Sequence, residues 1–451
     1  MSETRHVVII GNGISGVTCA RQLRKLDDQI RITLISGESK YFFSRTALMY
    51  VYMGHMKFEH TQPYEPWFWE KNRIELLQDW VKEVDFDNKI LKFQSTTELN
   101  YNELVIATGS KPNKFGWPGQ DLLGVQGLYS KQDLESMEDL TKGGVEKAVI
   151  VGGGLIGIEM AEMLAYRKIP VTFLVREEGF WNNVLPKEES ELVGRHVLTH
   201  HIDLRLKTEL KEIVSDQHGR VKSVITSSGE EIYCQFVGLT AGVTPNIDFL
   251  RESKLEVNRG VKVDSLFQTN IPNVYAIGDC AEFHQIPAPD RNVVEQVWYT
   301  GRMHGETLAY TLHGKPTPYQ PGVWFNSAKF LDIEYQTYGA VPPQWSSEKF
   351  DSFFWEHSSG KVAFRMLMLK DGTIQGVNNF GFRLKHEFFD KVIHEKWKGE
   401  QVIAQLEKAN FDPEFFAPYI QEIQKAFNAQ FGTAIKIGKR TFIQKLLGAS
   451  I

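Results

Sequence analysis

Gly11-Asn12-Gly13-Ile14-Ser15-Gly16 follows the apolar run Val7-Val8-Ile9-Ile10 without a break and opens a helical pattern with Ala20, Leu23 and Leu26 on one side. Strand, glycine turn and helix N-terminus in that order make a phosphate cradle. Gly11 permits the tight turn, Gly13 lets a pyrophosphate approach the backbone, and Gly16 lets helix and strand pack closely, while the free N–H groups and dipole of the helix attract the anion. Alone, G-x-G-x-x-G is a weak signal; the strand before it and the helix after it raise its value. Arg31 to Ser36 reads as the second strand of a βαβ unit. Glu38 then falls where an acidic residue accepts hydrogen bonds from an adenosine ribose, roughly 20 residues beyond the glycines.

The same pattern returns. Ala148-Val149-Ile150-Val151 runs into Gly152-Gly153-Gly154-Leu155-Ile156-Gly157 and a helix that carries Glu159. Two such units point to an enzyme that holds two dinucleotides. The second unit's second strand, Val171 to Val175, ends in Arg176-Glu177-Glu178. A carboxylate at that place favours a free ribose 2′-hydroxyl and an arginine suits a 2′-phosphate. Both are present, so NADH and NADPH stay open.

At 451 residues, with 42% hydrophobic and 24% charged residues, the chain has the composition of a soluble globular protein of two or three domains. A formal net charge of -5 gives no general reason to expect nucleic acid, and it counts against acidic protein partners unless a local basic patch exists. Cys19, Cys234 and Cys280 fit neither a disulfide framework nor a metal set, which favours a reducing compartment. Met1 to His6 leads into the first strand without signal-peptide character, and no apolar run approaches ~18 residues. The expected location is cytoplasmic, with membrane contact at most peripheral.

Between the glycine motifs, Ile74 to Leu77, Trp80 to Val84 and Lys89 to Phe93 predict a small β-meander. Tyr101 to Ser110 predicts a buried strand whose small-residue end, Ala107-Thr108-Gly109, permits close approach to a cofactor; Lys111-Pro112 and Trp117-Pro118-Gly119 mark a domain boundary. No metal site is expected: His200 and His201 diverge and have no acidic or thiol cluster near them in sequence, so they read as turn or surface histidines. Glu295 is expected to open a long helix to about Leu312. Phe330 to Thr337, Phe350 to Trp355 and Val362 to Leu369 read as strands, and Phe411 to Phe431 as an amphipathic helix with Phe415, Phe416, Ile420, Ile423 and Phe427 on one face. The basic, apolar tail Lys436 to Leu447 is compatible with a membrane surface or an acidic partner.

Taken with Gly242-Val243-Thr244-Pro245-Asn246 and Gly278-Asp279, these motifs resemble the pyridine nucleotide-disulfide oxidoreductase superfamily over roughly residues 5 to 385. The resemblance implies an α/β fold of two Rossmann-like domains, the second inserted in the first, plus an α+β C-terminal interface domain. It divides the chain into an FAD domain (1–115 and 243–321), an NAD(P)H domain (116–242) and an interface domain with a helical tail (322–451). Gly11, Gly13, Ile14, Ser15, Gly16, Glu38, Arg45, Val81, Ala107, Thr108, Gly109, Gly242, Gly278, Asp279, Trp298 and Trp324 are the implied FAD contacts, with Asp279 on a ribityl hydroxyl. Gly152, Gly154, Leu155, Ile156, Gly157 and Arg176 are assigned to NAD(P)H.

No redox cysteine pair is present, and the single-cysteine branch of the superfamily carries its thiol where this chain has Phe43-Ser44-Arg45. Arg45 and Leu48 instead resemble the ferredoxin reductase-like and apoptosis-inducing-factor-like branch. There Thr46 and Ala47 replace two prolines, Met49 a serine, and Tyr50 the lysine that pairs with a glutamate near flavin N5; Glu159 matches that glutamate. The implied activity passes hydride from NAD(P)H to FAD and electrons onward to a small iron-sulfur protein, such as a ferredoxin or rubredoxin, or to a quinone, in a chain that could form a homodimer. The alternative is a flavin-binding redox sensor or assembly protein with little turnover, motivated by the exchange of lysine for Tyr50.

Overall fold

The computed structural model describes residues 5–289, 291–411 and 419–437. In chain order the elements that matter are β1 (His6–Ile10), α1 (Ile14–Leu26), β2 (Arg31–Ile35), α2 (Leu48–Tyr52), β3 (Ile74–Leu77), β4 (Glu103–Ile106), β5 (Ala148–Val151), α3 (Leu155–Tyr166), β6 (Val171–Leu174), α4 (Lys187–Thr199), β7 (Phe236–Leu239), β8 (Val274–Ala276) and α5 (Trp298–Leu312). The C-terminal part adds β9 (Phe325–Phe330), β10 (Ile333–Gly339), β11 (Phe350–Glu356), β12 (Ala363–Leu369), β13 (Ile374–Phe380) and α6 (Ile420–Phe431). Two compact units result. One comprises Met1–Gly152, Met163–Pro170 and Leu210–Pro321, the other Gly153–Glu162, Val171–Glu209 and Gly322–Ile451.

The first unit is built on a parallel sheet of order β8-β4-β1-β2-β3. Val7, Val8, Ile9, Leu104, Val105 and Ile106 are fully buried, as expected for strands covered on both faces. Successive connections place β2 on one side of β1 and β4 on the other, so the order reverses at β1. Ligands of open α/β sheets bind in the crevice beyond the carboxyl ends of strands at such a reversal. Three sequence-distant strands end there: β1 at Gly11, β4 at Ala107 and β8 just before Gly278. A three-stranded meander, Val81–Asp85, Ile90–Phe93 and Glu98–Asn100, stands apart from this sheet.

Helices α1 and α5 pack against each other through small residues. A Cβ at Gly305 would lie 2.4 Å from the Ser15 carbonyl oxygen and 2.9 Å from the Cys19 nitrogen. Also in this unit, β5 pairs in parallel with β7, and β7 with Val125–Gln126. In the second unit, β6 pairs in parallel with Asp203–Arg205, and the chain's last third forms an antiparallel sheet of order β9-β10-β13-β12-β11. That sheet buries Phe353, Phe364, Met366 and Val377 against Phe389, Val402, Ile403 and Phe427 from the helices that follow.

Three sequence expectations are corrected. Ile74 to Leu77 belongs to the main sheet as the parallel edge strand beside β2, not to the meander. A half-buried edge strand and a meander strand share the same short apolar pattern. The long helix begins at Trp298, because Val297 has an extended backbone (φ -132, ψ 138); Glu295 precedes it. Phe330 to Thr337 is a hairpin, with Leu331 at φ 58 turning the chain between β9 and β10. The C-terminal helix is described from Ile420, where Ile420, Ile423 and Phe427 are buried as expected; Phe415 and Phe416 lie outside the described residues, as does the tail from 438 onward.

A Cβ at Gly16 would sit 2.0 Å from the Gly11 carbonyl oxygen, in backbone that cannot yield. Gly16→Ala is therefore expected to destabilise the protein by about 3 kcal/mol or more, read as a lower urea midpoint, whereas Gly219→Ala in an open hairpin turn costs roughly 1 kcal/mol through its positive φ alone.

Candidate functional site

The first cradle separates the roles of its glycines by geometry. Gly11 has φ 115, and a Cβ there would fall 2.0 Å from the Ala107 carbonyl oxygen, so the turn hugs the end of β4. Gly13, the residue before α1, has nothing within 4 Å of its Cβ position. The backbone at Gly13 is thus exposed on the side from which a phosphate would approach, with the unbonded N–H groups of the 13-residue α1 behind it. Ile14 and Ser15 start the helix, and Ser15 is buried against Gly278.

Asp279 follows β8 at the same crevice. Its Oδ2 accepts from Ser110 Oγ at 2.9 Å and Tyr129 OH at 3.3 Å; Ser110 Oγ in turn accepts from Gln296 Nε2 at 2.8 Å. No hydrogen bond to Oδ1 is found among the described residues. Burial pushes the Asp279 carboxyl above its ordinary value, against the pull of Ser110, Tyr129 and Arg45. Behind it, His304 Nδ1 accepts from the Gly278 N–H at 3.1 Å, and Glu295 accepts from Tyr319 OH at 2.8 Å and from Arg291 at 3.2 Å. Neither His304 nor Glu295 was singled out as a site residue by the sequence, because nothing in their spacing links them to Gly278.

Glu38 and Arg45 form one assembly. Arg45 grips both Glu38 oxygens at 2.8 and 2.7 Å, donates to the Tyr129 carbonyl at 2.6 Å and lies 4.4 Å over the Tyr129 ring; the Lys131 N–H also donates to Glu38 at 2.8 Å. The carboxylate expected to face a ribose thus accepts three protein hydrogen bonds, two on Oε1 and one on Oε2. Val81 opens the first meander strand, and the ring of its neighbour Trp80 lies where a Cβ on Gly37 would be, at 2.1 Å. Trp298 does not fill core: 43% exposed, it lines a groove of about 340 Å³ with Ile14, Arg21, Lys25, Arg302 and Glu306. Thr108 and Gly109 continue from β4, with Gly109 at φ 68 beside the Tyr129 hydroxyl. Gly242, at φ 84, accepts from the Asn113 N–H at 3.1 Å, tying the returning strand to the segment that left.

Tyr50 lies on α2, its ring stacked on His55 at 6.1 Å, and no hydrogen bond to its hydroxyl is found among the described residues. Arg167 anchors this helix: its guanidinium lies 3.5 Å over the Tyr52 ring and donates to the Tyr52 carbonyl.

The second cradle repeats the geometry of the first. Gly152 has φ 116 and a Cβ position 2.8 Å from the Thr240 carbonyl oxygen, and Thr240 Oγ1 donates to the Val151 carbonyl at 3.0 Å. Gly154, like Gly13, has nothing within 4 Å. Leu155, Ile156 and Gly157 form the first turn of α3. Arg176, beyond β6, is exposed and pairs with Glu177 at 3.0 Å. Trp324 is half-buried, and its carbonyl accepts from the Gly339 N–H at 2.7 Å. On α3, burial with Glu162 nearby pushes the Glu159 carboxyl up to about 7.

All three cysteines are buried and free, with the Cys280 thiol donating to the Ile106 and Ile277 carbonyls. Burial raises each thiol, that of Cys234 to about 12. A thiolate nucleophile needs the opposite environment.

Two phosphate cradles on parallel sheets, with a carboxylate at a third strand end, define a two-dinucleotide α/β protein. Residues 5–305 match the model of the pyridine nucleotide-disulphide oxidoreductase family, and the chain belongs to that family. It is 30% identical over 381 residues to a nitrite reductase [NAD(P)H] of Bacillus subtilis, covering 84% of this chain and 46% of that protein. It is 24% identical over 432 residues to the assimilatory nitrate reductase electron transfer subunit of the same organism, covering 93% and 53%. The chain spans about half the length of these curated relatives. A ferredoxin reductase from Rhodopseudomonas palustris shares the fold, with a TM-score of 0.75 at 22% identity over 84% of this chain and 91% of that one. The family's cofactors are FAD and NAD(P)H, and the open Gly13 and Gly154 positions together with the Asp279 carboxylate at the strand end fit them.

The Glu159 carboxyl binds its proton more tightly in the folded chain than in the unfolded one. Its contribution to stability is therefore present at acid pH and lost as pH rises from about 4.5 through about 7. Glu159→Gln is expected to stabilise the protein at pH 8 by on the order of 1–3 kcal/mol and by much less at pH 5, compared by denaturant midpoints at the two pH values.

Proposed function

We propose that this chain is an FAD-dependent NAD(P)H oxidoreductase that passes electrons to a separate acceptor without using a thiol of its own. The single observation that carries the reading is the pair of cradles whose middle glycines face open space, in a chain whose cysteines are all buried. FAD, when bound, supplies the chemistry of accepting hydride and releasing electrons. The first cradle is assigned to it. The N-terminus of α1 binds the pyrophosphate, Asp279 accepts from a ribityl hydroxyl, and the Glu38–Arg45 pair stiffens the loop beside the adenosine. The second cradle is assigned to NAD(P)H, with Arg176 and Glu177 at the ribose end and Glu159 and Tyr50 as the residues that orient the nicotinamide. The domain boundaries given above follow from this assignment.

A small acidic iron-sulfur protein is the acceptor the surface favours. The overall charge counts against it, but the groove beside Trp298 supplies the local basic patch: Arg21, Lys25 and Arg302 stand against one carboxylate, Glu306, which Arg302 already pairs at 2.9 Å. Opposite charge across such a surface speeds encounter. The names of the relatives, a ferredoxin reductase and an electron transfer subunit among them, agree with an electron-delivering role. No helix among the described residues is long and apolar enough to cross a membrane.

Gly13→Val should leave the stability from urea unfolding within about 1 kcal/mol of wild type and weaken FAD binding at least tenfold, measured by flavin fluorescence titration, because the Cβ position faces open space on the ligand side. Rapid mixing of the FAD-loaded protein with NADH or NADPH should bleach the flavin quickly with one of them; very slow bleaching with both would leave the redox-sensor reading. Arg21→Glu with Lys25→Glu should raise KM for a ferredoxin about tenfold or more while dye reduction by NAD(P)H is unchanged.

A further inference from the structure

His196, His200 and Asp332 meet outside everything assigned above. His196 is in the last turn of α4 and His200 caps that helix, so their spacing of four sets both rings on one face. Asp332 belongs to the two-residue turn of the β9–β10 hairpin, in which Phe330 pairs directly with Ile333. The rings stand 4.6 Å apart at 74°. Nε2 of His196 and Nε2 of His200 both contact one oxygen of Asp332, Oδ1, the latter at 2.9 Å, and one ligand atom from each of the three residues lies within 4.8 Å of the others.

The surroundings are those of a half-enclosed pocket. The His196 side chain is 2% exposed, while those of His200 and Asp332 are 37% and 51% exposed, so the cluster is closed behind and open in front. Lys361 Nζ holds the other carboxylate oxygen, Oδ2, at 2.9 Å, which fixes Oδ1 toward the imidazoles. Hydrogen bonding to Oδ1 would need only one histidine. Three lone-pair donors that converge from a helix end and a hairpin turn match what a divalent cation recruits, and two imidazoles with one carboxylate are the donor set of zinc-class ions.

We propose that His196 Nε2, His200 Nε2 and Asp332 Oδ1 bind one divalent cation of the zinc class, with the remaining coordination position taken by water from the open side. The ion clamps the C-terminal end of α4 to the β9–β10 turn. It carries no electrons, and the proposal is independent of the redox reading.

The test uses full-length, tag-free protein stripped with a chelator and then titrated with Zn²⁺ by calorimetry and with Co²⁺ by visible absorption. One equivalent per chain is expected, together with a Co²⁺ ligand-field spectrum and a rise in Tm on Zn²⁺ addition. His200→Gln and Asp332→Asn, both at half-exposed positions, should each weaken Zn²⁺ binding at least about tenfold and abolish the Tm rise. His201→Gln, next in sequence but outside the cluster, should change neither. No binding by the wild-type chain, or equal binding by His200→Gln and wild type, would overturn the assignment and leave a hydrogen-bonded His–Asp–His cluster.

Discussion

The carbonyl oxygen of Ala107 leaves no room for a side chain on Gly11, and the candidate site depends on that contact. It brings the ends of β1 and β4 together at the point where the sheet order reverses, and β8 adds Gly278 and Asp279 to the same edge. The ends of these strands are far apart in sequence, and parallel pairing alone carries them to one crevice. The small residues at Gly16, Gly278, Gly301 and Gly305 then let α1 and α5 close over it, with Ser15 wedged between. At Gly11, Gly16 and Gly305 the close contact is with backbone, the kind of support that tolerates least change.

The second unit rests on a different device. Arg365, fully buried, donates to Glu189 at 2.7 Å and Glu188 at 2.8 Å, and Asn378 donates to the other Glu189 oxygen at 2.7 Å. These bonds join the start of α4 to the centre of the antiparallel sheet. Deleting one partner of a buried pair costs several kcal/mol, because the other is left charged and unsolvated. The pair counts less as a source of stability than as a device that admits one arrangement of helix on sheet. Its opposite end is where His196, His200 and Asp332 converge.

Features governed by local backbone were legible in the sequence. Gly11, Gly16 and Gly152 were read correctly because a turn with positive φ or a close approach leaves a glycine in the sequence itself. Phe350 to Trp355 and Val362 to Leu369 were legible as strands from their apolar runs, whereas the turn at Leu331, which has no glycine, was not. Features that depend on partners across the fold were not. Ile74 to Leu77 has the composition of a meander strand, and only its neighbour β2 makes it part of the main sheet. Glu38 sits at the expected place, but its contacts with Arg45 and the Lys131 N–H leave no local signature in the sequence. His200 looked solitary because its companion acid lies in another part of the chain. Trp298 follows no apolar pattern that would give its burial, and it lies exposed beside a groove lined by Arg21, Lys25 and Arg302.

Cys280 stands next to Asp279, at the edge of the crevice, with its thiol turned inward onto backbone carbonyls. The other two sulfurs are equally enclosed. Thiol-directed reagents and glutathione are expected to leave the three cysteines unmodified while the chain is folded. Whatever electrons pass through it do so without being counted by its own sulfur.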